Sequence, residues 1–220
     1  MAVIVVSRTL GSEGDVIARR VAEALEIPLL DKEIISRAAQ MAGVSETWME
    51  GVERVPPLLE RMAELLGRYP SLDMTGMPPT VPVAVPMTTE WYRRMIEDLI
   101  RNIARTGKGV IIGHAAQVIL KDFPNVLKVL IYAPMKTSVA RVMVAEGLTQ
   151  SEAEKRIRQS TRDRAEYIRL YYGAKWLDPE LYDLIINTEL LDPAASAAVI
   201  LEAVRASERR LEPADMPNSR

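Results

Sequence analysis

Residues 3–25 read VIVVSRTLGSEGDVIARRVAEAL. A β-branched run, Val3–Val6, passes through a Gly/Ser turn into a segment with apolar residues at Val16, Ile17, Val21, Ala24 and Leu25, the spacing of an amphipathic helix. A strand that turns through glycines directly into a helix outlines a phosphate-binding loop. The helix start presents unpaired N–H groups and a partial positive charge, and Gly11 and Gly14 permit the dihedrals and close approach that a nest of amides requires. The standard form, G-x-x-x-x-G-K-[ST], ends in a lysine that reaches the terminal phosphates. Here Gly14 is followed by Asp15, so the backbone part can form while the mobile cation is missing. Arg8, at the carboxyl end of the strand, is the nearest substitute, since a guanidinium can fork onto a phosphate. Glu13 and Asp15 are ordinary first-turn acids for a helix. Beside a bound phosphate they would repel it unless Mg2+ intervened, and Asp15 or Ser12 could reach such an ion. A plain strand-to-helix turn is the other reading of the same spacing.

Outward from this stretch, short apolar runs alternate with longer helical patterns. Pro28–Leu30 reads as a short second strand, and Asp31 as the cap of a helix through Met41. Val44–Arg54 and Pro57–Arg68 read as two further helices. Residues 69–88 break the pattern, because Pro70, Pro78, Pro79, Pro82 and Pro86 exclude regular helix and demote any strand; a lid, an interaction segment or a plain loop fits them. Thr88–Arg105 is the next helix. GVIIG (109–113), LKVLIYA (127–133) and DLIIN (183–187) are strands, a long charged helical region spans Met135–Tyr172, and Ala194–Arg210 closes the pattern. Strands alternating with helices predict a three-layer α/β fold with a parallel sheet of about five strands. Ligands then sit beyond the carboxyl ends of the strands.

Composition narrows the function. The chain has 220 residues, 48% apolar and 26% charged, which suits one α/β domain with a small insertion. A net charge of -2 gives no global basic field for nucleic acid, so any phosphorylated ligand must be held locally. With Cys 0 and His 1, thiolate chemistry, disulfides and His/Cys metal clusters are excluded, and no protein metal site is expected. No apolar run approaches the roughly 20 residues of a membrane helix. The chain starts on a strand-like run without a secretory h-region, and the expectation is a cytoplasmic protein.

Three further stretches carry candidate chemistry. His114 ends the GVIIG strand at the expected ligand edge; protonated, it would bind anions more weakly as pH rises through its pKa. EKRIRQSTRDRAEYIR (154–169) is dense in arginine, with Arg158 and Arg162 one turn apart on a shared face. A solvated charged helix explains it from composition alone. Tyr167, Tyr171, Tyr172 and Trp176 follow; they suit packing against the sheet better than stacking on a base. Met74, Met77, Met87 and Met95 flank the proline-rich stretch and suit an adaptable apolar surface, such as a homodimer contact.

The ordered set VSRTLGSEGDVIARRVAEALEIPLLDKEII, GVIIGHAAQVIL, FPNVLKVLIYAP and ARVMVAEGLTQSEAEKRIRQSTRDRAEYIRLYYGAKWLDPELYDLIINT resembles the cytidylate kinase-like family of the P-loop nucleoside monophosphate kinases. That family opens on S-R-x-x-G-S-G-G-x-x-I-A followed by Y-D-K-E-x-I, and so also lacks the lysine. The resemblance covers residues 3–190 and is least specific over 44–105. It implies a P-loop fold over residues 1–210 with a nucleotide-binding insertion at 44–105, a helical lid at 141–176 and a tail at 211–220. It implies that Ser7, Thr9, Gly11, Ser12, Glu13 and Gly14 wrap the phosphates of ATP, with Arg8 beside them and Asp15 adjoining. Asp31 and Lys32 would border the acceptor, with His114 near its phosphate, where the family usually has arginine. Arg141 would begin the helix that enters the lid, and Arg158, Arg162 and Arg164 would clamp phosphate from it. Glu13 stands where the family usually has glycine, and Thr161 where an aspartate is common. The implied activity is ATP- and Mg2+-dependent phosphorylation of CMP, dCMP or a similar nucleotide. A catalytically weak nucleotide-binding or regulatory protein of the same fold, or a kinase for another small acceptor, remains the alternative.

Overall fold

The computed structural model describes residues 3–31 and 89–211. Lys32, the helix expected after Asp31, the helices expected at 44–54 and 57–68, the proline-rich stretch 69–88 and the tail from 212 lie outside the described residues.

β1 (Val3–Arg8) is the central strand of a five-stranded parallel sheet of order β2-β3-β1-β4-β5, with β2 at Leu29–Leu30, β3 at Gly109–Ile112, β4 at Val126–Tyr132 and β5 at Leu184–Asn187. Its first residues are apolar without alternation because both faces are covered, as a parallel sheet demands. Val3 and Val5 pack into one cluster with Ile96, Ile100, Ile111, Ala116 and Leu120, while Ile4 and Val6 join Ile17, Val21, Val129, Ile131 and Ile200 on the other face. The first cluster is closed by α2 (Thr89–Thr106) and the short α3 (Ala116–Ile119); the second is closed by α1 (Gly14–Leu25) and α6 (Pro193–Leu211). These are the three layers predicted from the alternation of elements. β1 runs two residues beyond Val6, because Ser7 and Arg8 still pair with Leu130 and Ile131 of β4.

The helical region expected across Met135–Tyr172 is two helices, α4 (Met135–Glu146) and α5 (Gln150–Tyr172). Gly147 ends α4 in a left-handed conformation at φ 67. Thr149 restarts the chain with a capping box, its hydroxyl accepting from the Glu152 amide and the Glu152 carboxylate accepting from the Thr149 amide. The hairpin closes over Val139, Val142, Ala153 and Ile157, and Leu10 from the glycine loop packs against this cluster. The hairpin is therefore anchored on that loop.

The chain leaves β1 along α1 on one face and leaves β3 along α3 on the other. The two connections diverge, so a crevice opens between the carboxyl ends of β1 and β3, the position where doubly wound sheets take ligands.

Candidate active site

The loop between β1 and α1 is built from its own hydrogen bonds. The Thr9 amide donates to Ile131 O at 3.0 Å, and the Thr9 carbonyl accepts from the Ser12 hydroxyl at 2.7 Å and from its amide at 3.3 Å. Gly11 (φ 81) and Glu13 (φ 60) both take left-handed conformations. Gly11 admits no side chain, since a Cβ would stand 2.7 Å from Ser138 O on α4. Among the described residues, the amides of Leu10, Gly11, Glu13 and Gly14 donate to no acceptor, and the buried Thr9 hydroxyl is without a partner. Unpaired amides gathered at a helix start are an anion-binding arrangement. Such an arrangement is built from the backbone alone and needs no lysine side chain.

Arg8 spans the crevice. Its side chain crosses Gly14, where a Cβ would stand 2.5 Å from Arg8 Cβ, and its Nη1 lies 2.6 Å from the position of a Cβ on Gly113. Arg8 Nε donates to Asp15 Oδ1 at 3.1 Å, and its Nη2 lies 3.0 Å from the same oxygen. The guanidinium is thus placed between the loop after β1 and the turn after β3. That turn is a left-handed run, Gly113 (φ 76), His114 (φ 53) and Ala115 (φ 56). Two non-glycine residues in succession at positive φ are costly and mark a backbone fixed by its surroundings. The half-buried His114 stands beside Gly113 at the sheet edge, as its place in the sequence predicts.

Arg141, on α4, reaches back to the same loop. Its Nη1 donates to Gly11 O at 3.2 Å and to Thr188 Oγ1 at 2.9 Å, and its Nη2 donates to Thr188 O at 2.7 Å and lies 3.2 Å from the Glu13 carboxylate. The Thr188 hydroxyl donates in turn to Ser12 O at 3.1 Å. Thr188 follows β5 directly. Apart from the rule that ligands gather at strand ends, nothing in the sequence singles it out.

Arg164 is half-buried on α5 and donates to Arg8 O at 2.9 Å, with its guanidinium 5.6 Å from the centre of the Trp176 ring. Trp176 is buried; its indole N–H donates to Ser7 Oγ at 2.8 Å, and the Tyr182 hydroxyl donates to Trp176 O at 2.7 Å. Burial pushes the Tyr182 phenol up to about 12. The Ser7 side chain therefore faces this buried network. Arg158 and Arg162 are exposed on α5 and make no ion pair with another described residue. Asp31, at the end of β2, has its Oδ2 3.8 Å from Arg19 Nη2.

A second polar cluster, which sequence reasoning missed, joins α2 to the carboxyl end of α5. Arg93 donates to both oxygens of Glu90, at 3.1 and 2.6 Å, and to Glu97, which also accepts from Arg101 at 3.1 Å. The Arg93 guanidinium lies 6.0 Å from the Tyr172 ring. Its hydrogen bonds hold the Glu90 carboxyl below the ordinary range, while burial pushes the neighbouring Tyr167 phenol far up. Tyr167 and Tyr172 pack with Ile168, Trp176 and Ala115, the structural use expected of these aromatics. The i, i+4 spacing of Arg93, Glu97 and Arg101 is visible in the sequence; the burial of Glu97 is not.

Among the described residues, no helix is long and apolar enough to cross a membrane, and no group of three His, Asp or Glu side chains is placed to hold a metal.

A five-stranded parallel sheet whose central strand turns through an amide-lined glycine loop into a helix is the P-loop kinase fold. The cytidylate kinase-like family model matches residues 3–190, and the chain belongs to that family. The chain is 34% identical over 113 residues to a cytidylate kinase of Pyrococcus horikoshii, a match that covers 51% of this chain. The matched segments span 63% and 55% of two such curated relatives, little more than half their length. Among solved structures, a protein from Eubacterium ventriosum superposes with TM-score 0.67 at 22% identity, covering 94% of this chain and 99% of its own. A shikimate kinase from Acinetobacter baumannii superposes with TM-score 0.51 at 15% identity, covering 96% of each chain. At these identities the structural likeness concerns the fold.

Proposed function

We propose that the protein transfers the γ-phosphoryl group of ATP to CMP, dCMP or a similar small phosphorylated acceptor. The observation that carries this reading is the pairing of unpartnered loop amides with Arg8, whose guanidinium lies between the loop after β1 and the turn at Gly113. Phosphoryl transfer asks little covalent chemistry of a protein. It asks for in-line placement and positive charge on the equatorial oxygens. The amides from Leu10 to Gly14 would cradle the donor phosphates, and Arg8 would face the group in transit. The exposed Arg158 and Arg162 would close on it from α5. Asp31, Lys32 and His114 would border the acceptor. An acceptor that attacks through a phosphate oxygen needs no general base, and this site offers none with an evident claim. Mg2+ would supply charge neutralisation on the donor phosphates when bound; the Asp15 carboxylate or the Ser12 hydroxyl, here engaged with Arg8 and with Thr9 O, could reach such an ion.

The family membership and the likeness to cytidylate kinases support this reading. A second reading has its own observation. Two cations at the loop, Arg8 and Arg141, already lie against Asp15 and Glu13, which favours a nucleotide-binding or regulatory protein with slow transfer. Measuring ADP release from Mg-ATP against a panel of nucleoside monophosphates separates the two. Under the kinase reading, one acceptor stimulates release and Arg8→Ala lowers the rate at least about a hundredfold, the scale of losing a cation on the transition state. Thermal stabilisation by ATP with no acceptor-dependent release across the panel establishes the second reading.

A further inference from the structure

The geometry points to Thr188 and Arg141 as positioning residues that aim the amides of the glycine loop. This rests on the donor-loop reading above and goes beyond it by naming what replaces a lysine-anchored loop as the source of rigidity.

A peptide unit is planar and trans, so its N–H points opposite to its C=O. Fixing a carbonyl on one side of a loop therefore fixes the direction of the next amide. Thr188 Oγ1 holds Ser12 O at 3.1 Å, so the Glu13 N–H points away from Thr188. Arg141 Nη1 holds Gly11 O at 3.2 Å, which fixes the peptide whose N–H is the Ser12 amide, itself turned onto Thr9 O at 3.3 Å. The two holders are locked to each other through the 2.9 and 2.7 Å bonds from Arg141 to the hydroxyl and carbonyl of Thr188. Thr188 is 1% exposed and Ser12 0%, so the bond from Thr188 to the Ser12 carbonyl does not compete with bulk water, while the bond from Arg141 to Gly11 O is part-buried.

Both terminal nitrogens of Arg141 are occupied in this arrangement. Its part is to hold the loop, and it acts on a ligand through that loop. Glu13, unusual in a phosphate loop, also finds its place here. Its carboxylate, 3.2 Å from Arg141 Nη2, faces the holding arginine and adds to the restraint on the residue whose amide is being aimed.

The test compares Thr188→Val, which keeps the shape and removes the hydroxyl, with Thr188→Ser, which keeps the hydroxyl. Dissociation constants for ATP and for inorganic tripolyphosphate are measured on the full chain by calorimetry, and acceptor-dependent turnover gives KM for each substrate. Thr188→Val is expected to weaken both anions about tenfold, the scale of one buried hydrogen bond, and to raise KM for ATP while leaving KM for the acceptor unchanged. Thr188→Ser is expected to bind within about threefold of the parent. Should Thr188→Val not fold, Arg141→Gln is measured in its place, with the same split between ATP and acceptor expected. Wild-type affinity in Thr188→Val, or equal weakening in the valine and serine variants, overturns the positioning role while leaving the donor site intact. A parent protein that binds neither ATP nor tripolyphosphate overturns the donor-loop reading and this inference with it.

Discussion

Arg8 is paired with the Asp15 carboxylate and lies over the bare backbone of Gly113, and that close approach makes Gly113 the more telling residue. Its φ of 76 is a conformation that side chains rarely adopt, and a Cβ there would stand 2.6 Å from Arg8 Nη1. Gly113→Ala is therefore expected to cost stability, roughly 1 kcal/mol from the backbone alone, and also to push the guanidinium out of the crevice. Urea melts measure the first effect and ADP release the second. The loss of turnover should exceed what the residual folded fraction explains. Asp15 illustrates how far residue-scale reading reaches. As a first-turn acid it is legible in the sequence; its pairing with Arg8, seven positions away, depends on how tightly the loop turns at Gly11 and Glu13.

The element that carries most of the candidate arginines, α5, owes its start to a capping box. The Thr149 hydroxyl and then the Thr149 amide hold the Glu152 carboxyl below its ordinary 4.5. A depressed carboxylate contributes stability above its ordinary pKa, and that contribution is lost as pH falls through the lowered value. Amide protection in the first turn of α5, taken relative to the intrinsic exchange rate at each pH, should fall on acidification below about pH 4.5. In Glu152→Gln it should already be lower at neutral pH and lose that acid dependence. The break between α4 and α5 is also set by local residues. A charged, periodic run from 135 to 172 reads as continuous, although Gly147 and the T-x-x-E pattern at 149–152 are the two local signals that divide it.

At the scale of the whole molecule, α5 and the segment that follows it are fastened to the sheet by polar contacts of very long range. Trp176 reaches Ser7 across 169 positions, and Arg164 reaches Arg8 O across 156. Trp176→Phe keeps the packing with Ala115 and Ile168 but leaves the Ser7 hydroxyl without its donor. It is expected to cost about 1–3 kcal/mol in thermal or urea unfolding. Because Ser7 immediately precedes Arg8, ATP affinity should fall as well.

The layers, the strands and the loop were legible in the order of the residues alone. Uninterrupted β-branched runs between helical patterns suit buried parallel strands, periodic apolar positions mark the face a helix buries, and glycines between a strand and a helix leave few conformations open. These are local properties, set by sterics and by which side chains leave water. Tertiary structure alone decided the partners of the charged and polar groups: Arg8 with Asp15, Arg141 with Thr188 and Glu13, Trp176 with Ser7. Polar side chains carry no periodicity that names a distant partner. Their pairing follows from where the crossovers deliver strand ends and helix faces, and where the groups are buried, as in the Trp176–Ser7 pair, it is enforced because a buried donor or acceptor without a partner costs more than any local preference can recover.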